Sequence, residues 1–348
     1  MKTIKVLVVD DSAFMRKCIS DFLSEHPRLE VVGTARNGQE ALAKIASLSP
    51  DVVTLDVEMP VMNGLDTLQQ IMRDRPLPVV MVSSMTTEGA AAAIAAMQHG
   101  AVDVIAKPSG PISLDLYKIK EELIRKVLHA SEVNIHALVA QRRVPVRHRF
   151  SAQTAGAQKA VVAIGTSTGG PRALEVVLTH LPPDLAAPVL VVQHMPKGFT
   201  KSLADRLDAL ATMTVKEAEE GERLQNGTAY IAPAGVHLVV CKENGALQAR
   251  LDESPPRAGH RPAVDVLFES LAAIDDVRKV AVVMTGMGTD GTAGLKKLKE
   301  SGNVKAIAEA RETAVVYGMP RAAIEAGVID VIAPLADIAA AIVQSIGE

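Results

Sequence analysis

Residues 160–171 read Ala-Val-Val-Ala-Ile-Gly-Thr-Ser-Thr-Gly-Gly-Pro, which predicts a buried strand and a tight turn into a helix. The apolar residues 160–164 are typical of a strand covered on both faces. Glycines permit the tight turn, and Pro171 suits the first turn of a helix over Ala173–His180. Ser167 is expected at the crest of the turn, beside helix N-terminal N–H groups that favour a developing negative charge.

The spacing Gly165-Thr-Ser-Thr-Gly169 fits the G-x-S-x-G nucleophile elbow. It fits equally well a turn rich in Ser, Thr and Gly that only caps a helix. The remainder of the chain is needed to separate these two interpretations.

The composition is that of an ordinary globular protein with enough length for two domains. The 348 residues are 48% hydrophobic and 22% charged, and the net charge of −3 argues against nucleic-acid binding as the main role. Cys18 and Cys241 lie far apart and form no metal-binding pattern. Since the sequence shows no signal peptide and no apolar run of about 18 residues, we expect a cytoplasmic protein without membrane insertion.

Residues 1–130 alternate strand and helix patterns five times, which predicts a doubly wound parallel sheet with helices on both faces. The predicted strands are Ile4–Val9, Val31–Thr34, Val52–Leu55, Val79–Val82 and Asp103–Ile105. The predicted helices are Ala13–Glu25, Gln39–Leu48, Leu65–Arg73, Gly89–His99 and 113–128. Functional residues of such a sheet gather beyond the carboxyl ends of its strands.

Polar side chains do follow four of these strands, namely Asp10, Asp11, Asp56, Ser83 and Lys107. Each alone could be a helix cap or a loop residue, but five such positions favour a site. Carboxylates at one sheet edge repel one another unless they are neutralised. A Mg²⁺ ion with hard oxygen ligands would do this, and a lysine would add a compact positive charge.

The motifs of this first domain resemble the receiver domain of bacterial response regulators. They are Val8-Val9-Asp10-Asp11-Ser12, Leu55-Asp56-Val57-Glu58-Met59-Pro60 with Asn63-Gly64, Val82-Ser83-Ser84 and Lys107-Pro108. The resemblance implies that Asp56 accepts a phosphoryl group from a histidine kinase. It further implies that Asp11, Asp56 and the backbone carbonyl of Glu58 hold Mg²⁺, with Asp10 supporting the site.

The same resemblance implies that Ser83 and Lys107 contact the phosphoryl oxygens. It also implies a cis peptide bond before Pro108. The chain departs from the family at Val104, where many receivers carry an aromatic residue, so signalling through a Tyr or Phe rotamer is in doubt.

Residues 131–158 lose the strand–helix pattern and are predicted to be a linker. The segment carries four arginines against one glutamate, and its end, Ser-Ala-Gln-Thr-Ala-Gly-Ala-Gln, has linker composition. A flexible tether and a docking segment for an acidic partner are both compatible with this composition.

Strand and helix patterns resume over residues 159–348 and predict a second doubly wound domain, Rossmann-like α/β/α with a β-hairpin insert. The predicted parallel strands are Ala160–Ile164, Val189–Gln193, Val280–Met284, Lys305–Ala308 and Val328–Ile332. The stretch Thr228–Leu251 predicts antiparallel strands with Asn244-Gly245 as a tight turn. The predicted helices are Ala173–His180, Thr200–Leu210, Ala263–Ala273, Thr292–Glu300, Met319–Ala326 and Leu335–Ile346.

Ser167, His194 and Asp290 each follow the end of a predicted strand. A serine hydroxyl is a weak nucleophile unless a base takes its proton and a third group orients that base. These three side chains could meet at one sheet edge, in the chain order Ser, His, Asp. Singly, His194 could be an ordinary loop histidine and Asp290 a helix cap.

Three other interpretations stay open at this point. The α/β-hydrolase order, with the acid before the histidine, would leave the Asp290 loop without a role, since no histidine follows His260. The loop Gly286-x-Gly288-x-x-Gly291 matches a dinucleotide fingerprint, with Glu309 near the ribose-ligand distance, although Asp290 would repel a pyrophosphate. A DNA-binding effector is disfavoured because residues 159–348 hold 19 basic and 23 acidic residues.

Four motifs of the second domain resemble the catalytic domain of the chemotaxis protein-glutamate methylesterases, the CheB family. They are Ile164-Gly-Thr-Ser-Thr-Gly-Gly-Pro, Gln193-His-Met-Pro, His260-Arg-Pro-Ala-Val-Asp-Val-Leu-Phe and Thr285-Gly-Met-Gly-Thr-Asp-Gly. The resemblance implies a Ser167, His194 and Asp290 triad that needs no cofactor. Candidates for oxyanion or substrate contacts are Thr168, Met287 and His260.

The function implied by this resemblance is hydrolysis of glutamyl methyl esters on chemoreceptors, with deamidation of receptor glutamines by the same route. Phosphorylation of Asp56 by the chemotaxis histidine kinase would raise this activity. The implied partners are therefore chemoreceptors and a phosphodonor kinase.

Overall fold

The computed structural model describes residues 3–107, 115–140 and 160–347. The chain divides into two units, Met1–Val139 and Ala140–Glu348. Both units are built on a parallel sheet, as the alternating pattern predicts.

The first unit holds a five-stranded parallel sheet in the order β2-β1-β3-β4-β5. Its strands are β1 Ile4–Val9, β2 Leu29–Ala35, β3 Val52–Asp56, β4 Val79–Ser83 and β5 Asp103–Ala106. Its helices are α1 Ala13–Ser24, α2 Gly38–Leu48, α3 Gly64–Asp74, α4 Thr87–Gln98, α5 Asp115–Ala130 and α6 Ile135–Ala140. Every residue of β3 and β4 is buried, because helices cover both faces of the sheet.

The turn after β3 is set by an asparagine and a glycine. The side chain of Asn63 caps α3 by accepting a hydrogen bond from the N–H of Asp66 at 2.8 Å. A Cβ at Gly64 would lie 2.1 Å from the carbonyl oxygen of Asp56, so only glycine lets α3 begin this close to the strand. Because α3 begins so close to β3, the end of β3 lies directly against the loop that leads into α3.

The short helix α6 lies inside the segment that the sequence assigns to the linker. Asn134 accepts a hydrogen bond from the N–H of Ala137 at 3.1 Å, and Ala137 and Leu138 are buried. Residues 131–140 therefore contain a capped apolar helical turn that linker composition does not predict. Residues 141–158 of the predicted linker, and the predicted cis bond before Pro108, lie outside the described residues.

The second unit holds a seven-stranded parallel sheet in the order β14-β13-β12-β6-β7-β9-β8. The strands of this unit are β6 Ala160–Thr166, β7 Val189–Gln193, β8 Thr214–Glu217, β9 Thr228–Ile231, β10 His237–Glu243, β11 Ala246–Asp252, β12 Arg278–Val283, β13 Val304–Glu309 and β14 Val331–Ala333. Its helices are α7 Gly170–His180, α8 Phe199–Asp208, α9 Val264–Ala272, α10 Thr292–Glu300, α11 Met319–Glu325 and α12 Leu335–Gly347.

The structure corrects the prediction of antiparallel strands over Thr228–Leu251. The hairpin contains only β10 and β11, joined by Asn244 and Gly245 with φ of 50° and 77°. Strand β9 instead pairs in parallel with β7 and β8 in the main sheet. Strand β8 was not predicted from the sequence, because only Val215 of its four residues is buried and its apolar pattern is too weak to recognise.

The strand order reverses at β6, which lies between β12 and β7. Chains that leave neighbouring strands toward opposite sides open a crevice at their carboxyl ends, and ligands of doubly wound sheets bind there. Helix α9 packs Val264, Leu267 and Phe268 into the core of this unit beside that crevice. Among the described residues, no helix is both long and apolar enough to cross a membrane.

Two isoleucines on neighbouring strands test the importance of burial in this sheet. Ile307 on β13 is 0% exposed and Ile332 on β14 is 55% exposed. Ile307→Ala is expected to lower the free energy of unfolding by about 2–5 kcal/mol, because it leaves a cavity. Ile332→Ala is the matched control and should stay within about 0.5 kcal/mol of the parent. Denaturant unfolding of both variants checks this, and equal losses would contradict the assigned burial.

Candidate functional site

The strand register brings the predicted serine and histidine side by side. Thr166 pairs with Gln193 across β6 and β7, so Ser167 and His194 follow at the same level of the sheet. The N–H of His194 donates to the carbonyl of Thr166 at 3.1 Å. On the other side of β6, the N–H of Ser167 donates to the carbonyl of Thr285 at 3.0 Å. Both residues therefore lie at the carboxyl ends of β6 and β7, where the strand order of the sheet reverses. We call this place the switch point.

Gln193, the last residue of β7, links His194 to the turn over residues 167–169, which we call the serine turn. Its side-chain amide donates to the carbonyls of Ser167 at 2.9 Å and His194 at 2.8 Å, and it accepts from the hydroxyl of Thr166 at 2.6 Å. A Cβ at Gly170 would lie 1.9 Å from the Gln193 amide oxygen, so no residue larger than glycine fits at this position. Gln193 was not among the predicted site residues, although it stands beside His194 in the Gln193-His-Met-Pro motif.

His194 and Asp290 form a buried hydrogen-bonded pair. The His194 Nε2 lies 2.7 Å from the Asp290 Oδ2, and the two side chains are 8% and 2% exposed. The other ring nitrogen, Nδ1, is buried and has no hydrogen-bond partner in the described part of the chain. The pair can therefore orient the imidazole while one ring nitrogen stays available to accept a proton.

The N-terminus of α9 holds Asp290 in place. The carboxylate accepts hydrogen bonds from the N–H groups of Val264 at 2.8 Å, Asp265 at 2.9 Å and Gly291 at 2.9 Å. Burial acts to raise the pKa of Asp290, but His194 and these N–H groups outweigh it and hold the pKa below its usual value. Asp290 thus caps a helix, but that helix is α9 rather than α10, which follows Asp290 in the chain.

The three predicted contact residues differ in their surroundings. The ring of His260 stacks on that of His194, with centroids 3.8 Å apart and planes 2° from parallel. Thr168 is buried in the serine turn, and its carbonyl accepts a hydrogen bond from the hydroxyl of Thr285 at 2.9 Å. Met287 is half-buried in the loop between β12 and α10.

Glu309 at the end of β13 is fully buried, which argues against the dinucleotide interpretation. Its Oε2 accepts a hydrogen bond from the N–H of Thr285 at 2.8 Å, and burial raises its pKa to about 7. A carboxyl group enclosed in this way cannot bind a ribose. Asp290, in the glycine loop between β12 and α10, is bound to His194.

At the edge of the first sheet, one ligand oxygen each from Asp10, Asp11 and Asp56 lies within 4.8 Å of the others. Asp10 and Asp56 are buried and Asp11 is exposed. The Lys107 Nζ lies 2.7 Å from the Asp56 Oδ2 and 3.1 Å from the Asp10 Oδ2. The structure thus brings together four of the residues that the sequence predicts for this site.

The electrostatics of this acidic cluster favour a bound cation. Burial raises the pKa of Asp56 to about 6, against the opposing effect of Lys107, and burial also raises the pKa of Asp10. Carboxylate oxygens are the hard ligands that Mg²⁺ prefers, so the donor set fits this ion.

The two remaining predicted residues flank the cluster. The N–H of Glu58 donates to the Asp56 Oδ1 at 3.3 Å. The hydroxyl of Ser83 donates to the carbonyl of Gly89 at 2.8 Å, so it is bound to the first turn of α4 and would have to rotate to meet a phosphoryl group.

The two units together define a class of protein. The first has the sheet, acidic cluster and lysine of a response-regulator receiver. The second is a doubly wound unit that brings a serine and a histidine–aspartate pair to its switch point. This combination is a hydrolase controlled by a receiver domain.

Comparisons with known proteins identify the family. The family profile described as CheB methylesterase matches residues 162–342, and that of the response regulator receiver domain matches residues 6–116. A protein-glutamate methylesterase/protein-glutamine glutaminase of Geobacillus kaustophilus is 80% identical over 349 residues, covering 100% of both chains. The chain belongs to the CheB methylesterase family.

Two further relatives agree with this assignment. The protein of the same description from Bacillus subtilis is 54% identical and covers 99% of this chain and 98% of its own length. The crystal structure of the Thermotoga maritima CheB methylesterase catalytic domain has 46% identity and a TM-score of 0.52, covering 53% of this chain and 97% of that one. The predicted family and the two predicted α/β domains are thereby confirmed.

The buried carboxyl of Glu309 predicts a specific pH dependence of stability. Because the pKa of Glu309 rises from 4.5 to about 7 on folding, its stabilising contribution is complete below 4.5 and is lost as the pH rises through about 7. Glu309→Gln cannot ionise, so its unfolding midpoint should exceed that of the wild type above pH 7 and approach it in acid.

Thermal unfolding of both proteins across this pH interval makes the comparison. The exposed Glu312 provides the control, because Glu312→Gln should keep the wild-type pH dependence. A Glu309→Gln curve parallel to the wild type would show that the buried carboxyl does not titrate in this range.

Proposed function

We propose that the second unit hydrolyses glutamyl methyl esters on chemoreceptors and deamidates receptor glutamines, and that phosphorylation of the first unit raises this activity. The observation that carries the proposal is the buried His194–Asp290 pair at the switch point, directly beside Ser167. The names of the relatives, protein-glutamate methylesterase/protein-glutamine glutaminase, support the same reaction.

In the proposed reaction, Ser167 is the nucleophile and His194 the general base. Asp290 binds Nε2 of the imidazole, which leaves Nδ1 to take the proton from the Ser167 hydroxyl. The Ser167 oxygen attacks the ester carbonyl, and the protonated His194 returns the proton to the leaving methoxide as methanol departs. Water then attacks the acyl-enzyme by the same route and releases glutamate.

The surroundings of Ser167 suit the charge that develops during this reaction. The serine turn leads into the N-terminus of α7, whose N–H groups favour an oxyanion. Thr168, Met287 and His260 are proposed as oxyanion or substrate contacts. The stacking of His260 on His194 supports a place for His260 at the rim of this site.

In the first unit, Asp56 is proposed as the phosphoryl acceptor. Asp11, Asp56 and the backbone carbonyl of Glu58 would hold Mg²⁺, which would neutralise charge on the transferring phosphoryl group. Asp10 would support this site. The contact of Lys107 with Asp56 supports its proposed role of binding a phosphoryl oxygen, together with Ser83.

The proposed partners follow from this chemistry. A chemotaxis histidine kinase would donate the phosphoryl group, chemoreceptors would be the substrate, and the protein would act in the cytoplasm. The proposed division is a receiver over residues 1–130, a linker over residues 131–158 that contains α6, and a catalytic domain over residues 159–348.

Removal of the nucleophile tests the proposed reaction. Ser167→Ala should retain the fold and lose methanol release from methylated receptor membranes by about 10⁴–10⁶-fold, the usual cost of losing a triad member. His194→Gln should fall similarly, and the double variant should be little worse than either, because the two residues act as a unit. Ser345→Ala, on α12, is the control expected to keep wild-type activity. Retention of a tenth of the activity in Ser167→Ala would refute the nucleophile.

Removal of the acceptor carboxylate tests the proposed regulation. Asp56→Asn should take up no phosphoryl group from acetyl phosphate, and its esterase rate should not respond to this donor. Wild-type labelling should vanish on addition of EDTA, because the acidic cluster needs a divalent cation before a phosphoryl group can approach. The exposed Asp74 on α3 gives the control Asp74→Asn, which should be labelled normally. Labelling of Asp56→Asn at the wild-type level would place the phosphorylation elsewhere.

A further inference from the structure

Thr285, the second residue after β12, makes four buried hydrogen bonds of 2.8–3.0 Å in and around the serine turn. Its carbonyl accepts from the N–H of Ser167 at 3.0 Å, and its hydroxyl donates to the carbonyl of Thr168 at 2.9 Å. The same hydroxyl accepts from the N–H of Val316 at 3.0 Å. Thr285 thus binds the peptide groups of Ser167 and of the residue that follows it.

Glu309 supplies the fourth bond and anchors Thr285 from the next strand. Its Oε2 accepts from the N–H of Thr285 at 2.8 Å, and both residues are 0% exposed. A buried N–H without a partner is costly, so this carboxyl group satisfies a donor that the sheet itself leaves unpaired. Consecutive hydrogen bonds therefore connect Glu309 to Thr285, and Thr285 to the serine turn.

We propose that Thr285 and Glu309 are positioning residues that fix the serine turn in the orientation needed for attack. The inference rests on the proposed function, because it assigns Ser167 the role of nucleophile. Neither side chain bonds to His194 or Asp290 in the hydrogen bonds described above, so both act through the backbone of the turn.

Close packing, in addition to these hydrogen bonds, restricts the movement of the serine turn. A Cβ at Gly286 would lie 2.8 Å from the Cβ of Ser167 and 2.4 Å from the Sδ of Met319. The loop after β12 therefore touches the nucleophile directly, and a shift of Thr285 moves Ser167 with it. A displacement of about 1 Å at a reacting atom can cost about 10²-fold in rate.

Two substitutions at Thr285 separate the hydroxyl from the volume of the side chain. Thr285→Val keeps the shape and removes both hydroxyl hydrogen bonds, whereas Thr285→Ser keeps the hydroxyl. The measurement is the rate at which a fluorophosphonate modifies Ser167 in the full-length protein, where the serine oxygen displaces fluoride from phosphorus. Thr285→Val should be slower by about 10–100-fold, and Thr285→Ser should recover most of the rate.

The steady-state constants distinguish positioning from a general loss of structure. In Thr285→Val, kcat for methanol release should fall and KM should stay close to the wild-type value, because the turn is misplaced but the binding surface is kept. Thr200 offers a matched control in the same unit: its buried hydroxyl donates to the Glu217 carboxylate at 2.6 Å and accepts from the N–H of Ala234 at 3.1 Å. Thr200→Val should lose comparable stability and keep the wild-type labelling rate.

A second pair of variants tests the anchor and remains informative if Thr285→Val does not fold. Glu309→Gln keeps an acceptor for the N–H of Thr285 and should label at nearly the wild-type rate. Glu309→Met keeps the length without an acceptor and should label about tenfold more slowly at a temperature where it is fully folded.

The outcomes separate the inference from the function on which it rests. Wild-type labelling rates in Thr285→Val and Glu309→Met, or equal losses in Thr285→Val and Thr200→Val, would overturn the positioning role. A wild-type protein labelled at a residue other than Ser167 would instead overturn the proposed function, and the inference with it.

Discussion

The second unit depends on a single carboxylate, that of Asp290, held by the N-terminus of a helix. Three backbone N–H groups and the imidazole of His194 converge on it, so its negative charge stays stable although the side chain is buried. Asp265, whose own N–H is one of these donors, accepts a hydrogen bond from the N–H of Gly294 at 2.6 Å. Helices α9 and α10 are therefore fastened to each other by two carboxylates, and the orientation of the imidazole follows from how these helices pack.

Both units contain buried acidic groups, but the surroundings of these groups differ. In the first, Asp10 and Asp56 face a lysine at 3.1 Å and 2.7 Å, and burial still raises their pKa values. That site is short of positive charge and is suited to take up a cation. In the second, burial also acts to raise the pKa of Asp290, but the hydrogen bond and charge of His194, together with backbone N–H groups, hold this pKa below its usual value. The first arrangement favours the binding of charged groups, and the second fixes the orientation of the His194 imidazole.

Most of the fold and the positions of the site residues could be predicted because strand ends are a local feature of the sequence. An apolar run that stops at Asp10, Asp56, Ser167 or His194 marks the sheet edge, and parallel strands bring all such ends together. The partners of these residues could not be predicted, because they come from distant segments. The binding of Asp290 to α9, and of Glu309 to Thr285, depends on how helices and strands pack in three dimensions. Strand β9 was misassigned for the same reason, since its four residues do not encode which strands they pair with.

The edges of the seven-stranded sheet have a consequence for the behaviour of the protein at high concentration. The outermost strands β8 and β14 have four and three residues, so each offers few free N–H and C=O groups to a strand of another molecule. On β8, Lys216 forms ion pairs with Glu219 and Glu222 at 2.9 Å and 2.6 Å, which places a charged cluster along that edge. A large parallel sheet is prone to grow by adding strands, and the shortness of both edge strands, together with the charges beside β8, opposes the joining of sheets from different molecules.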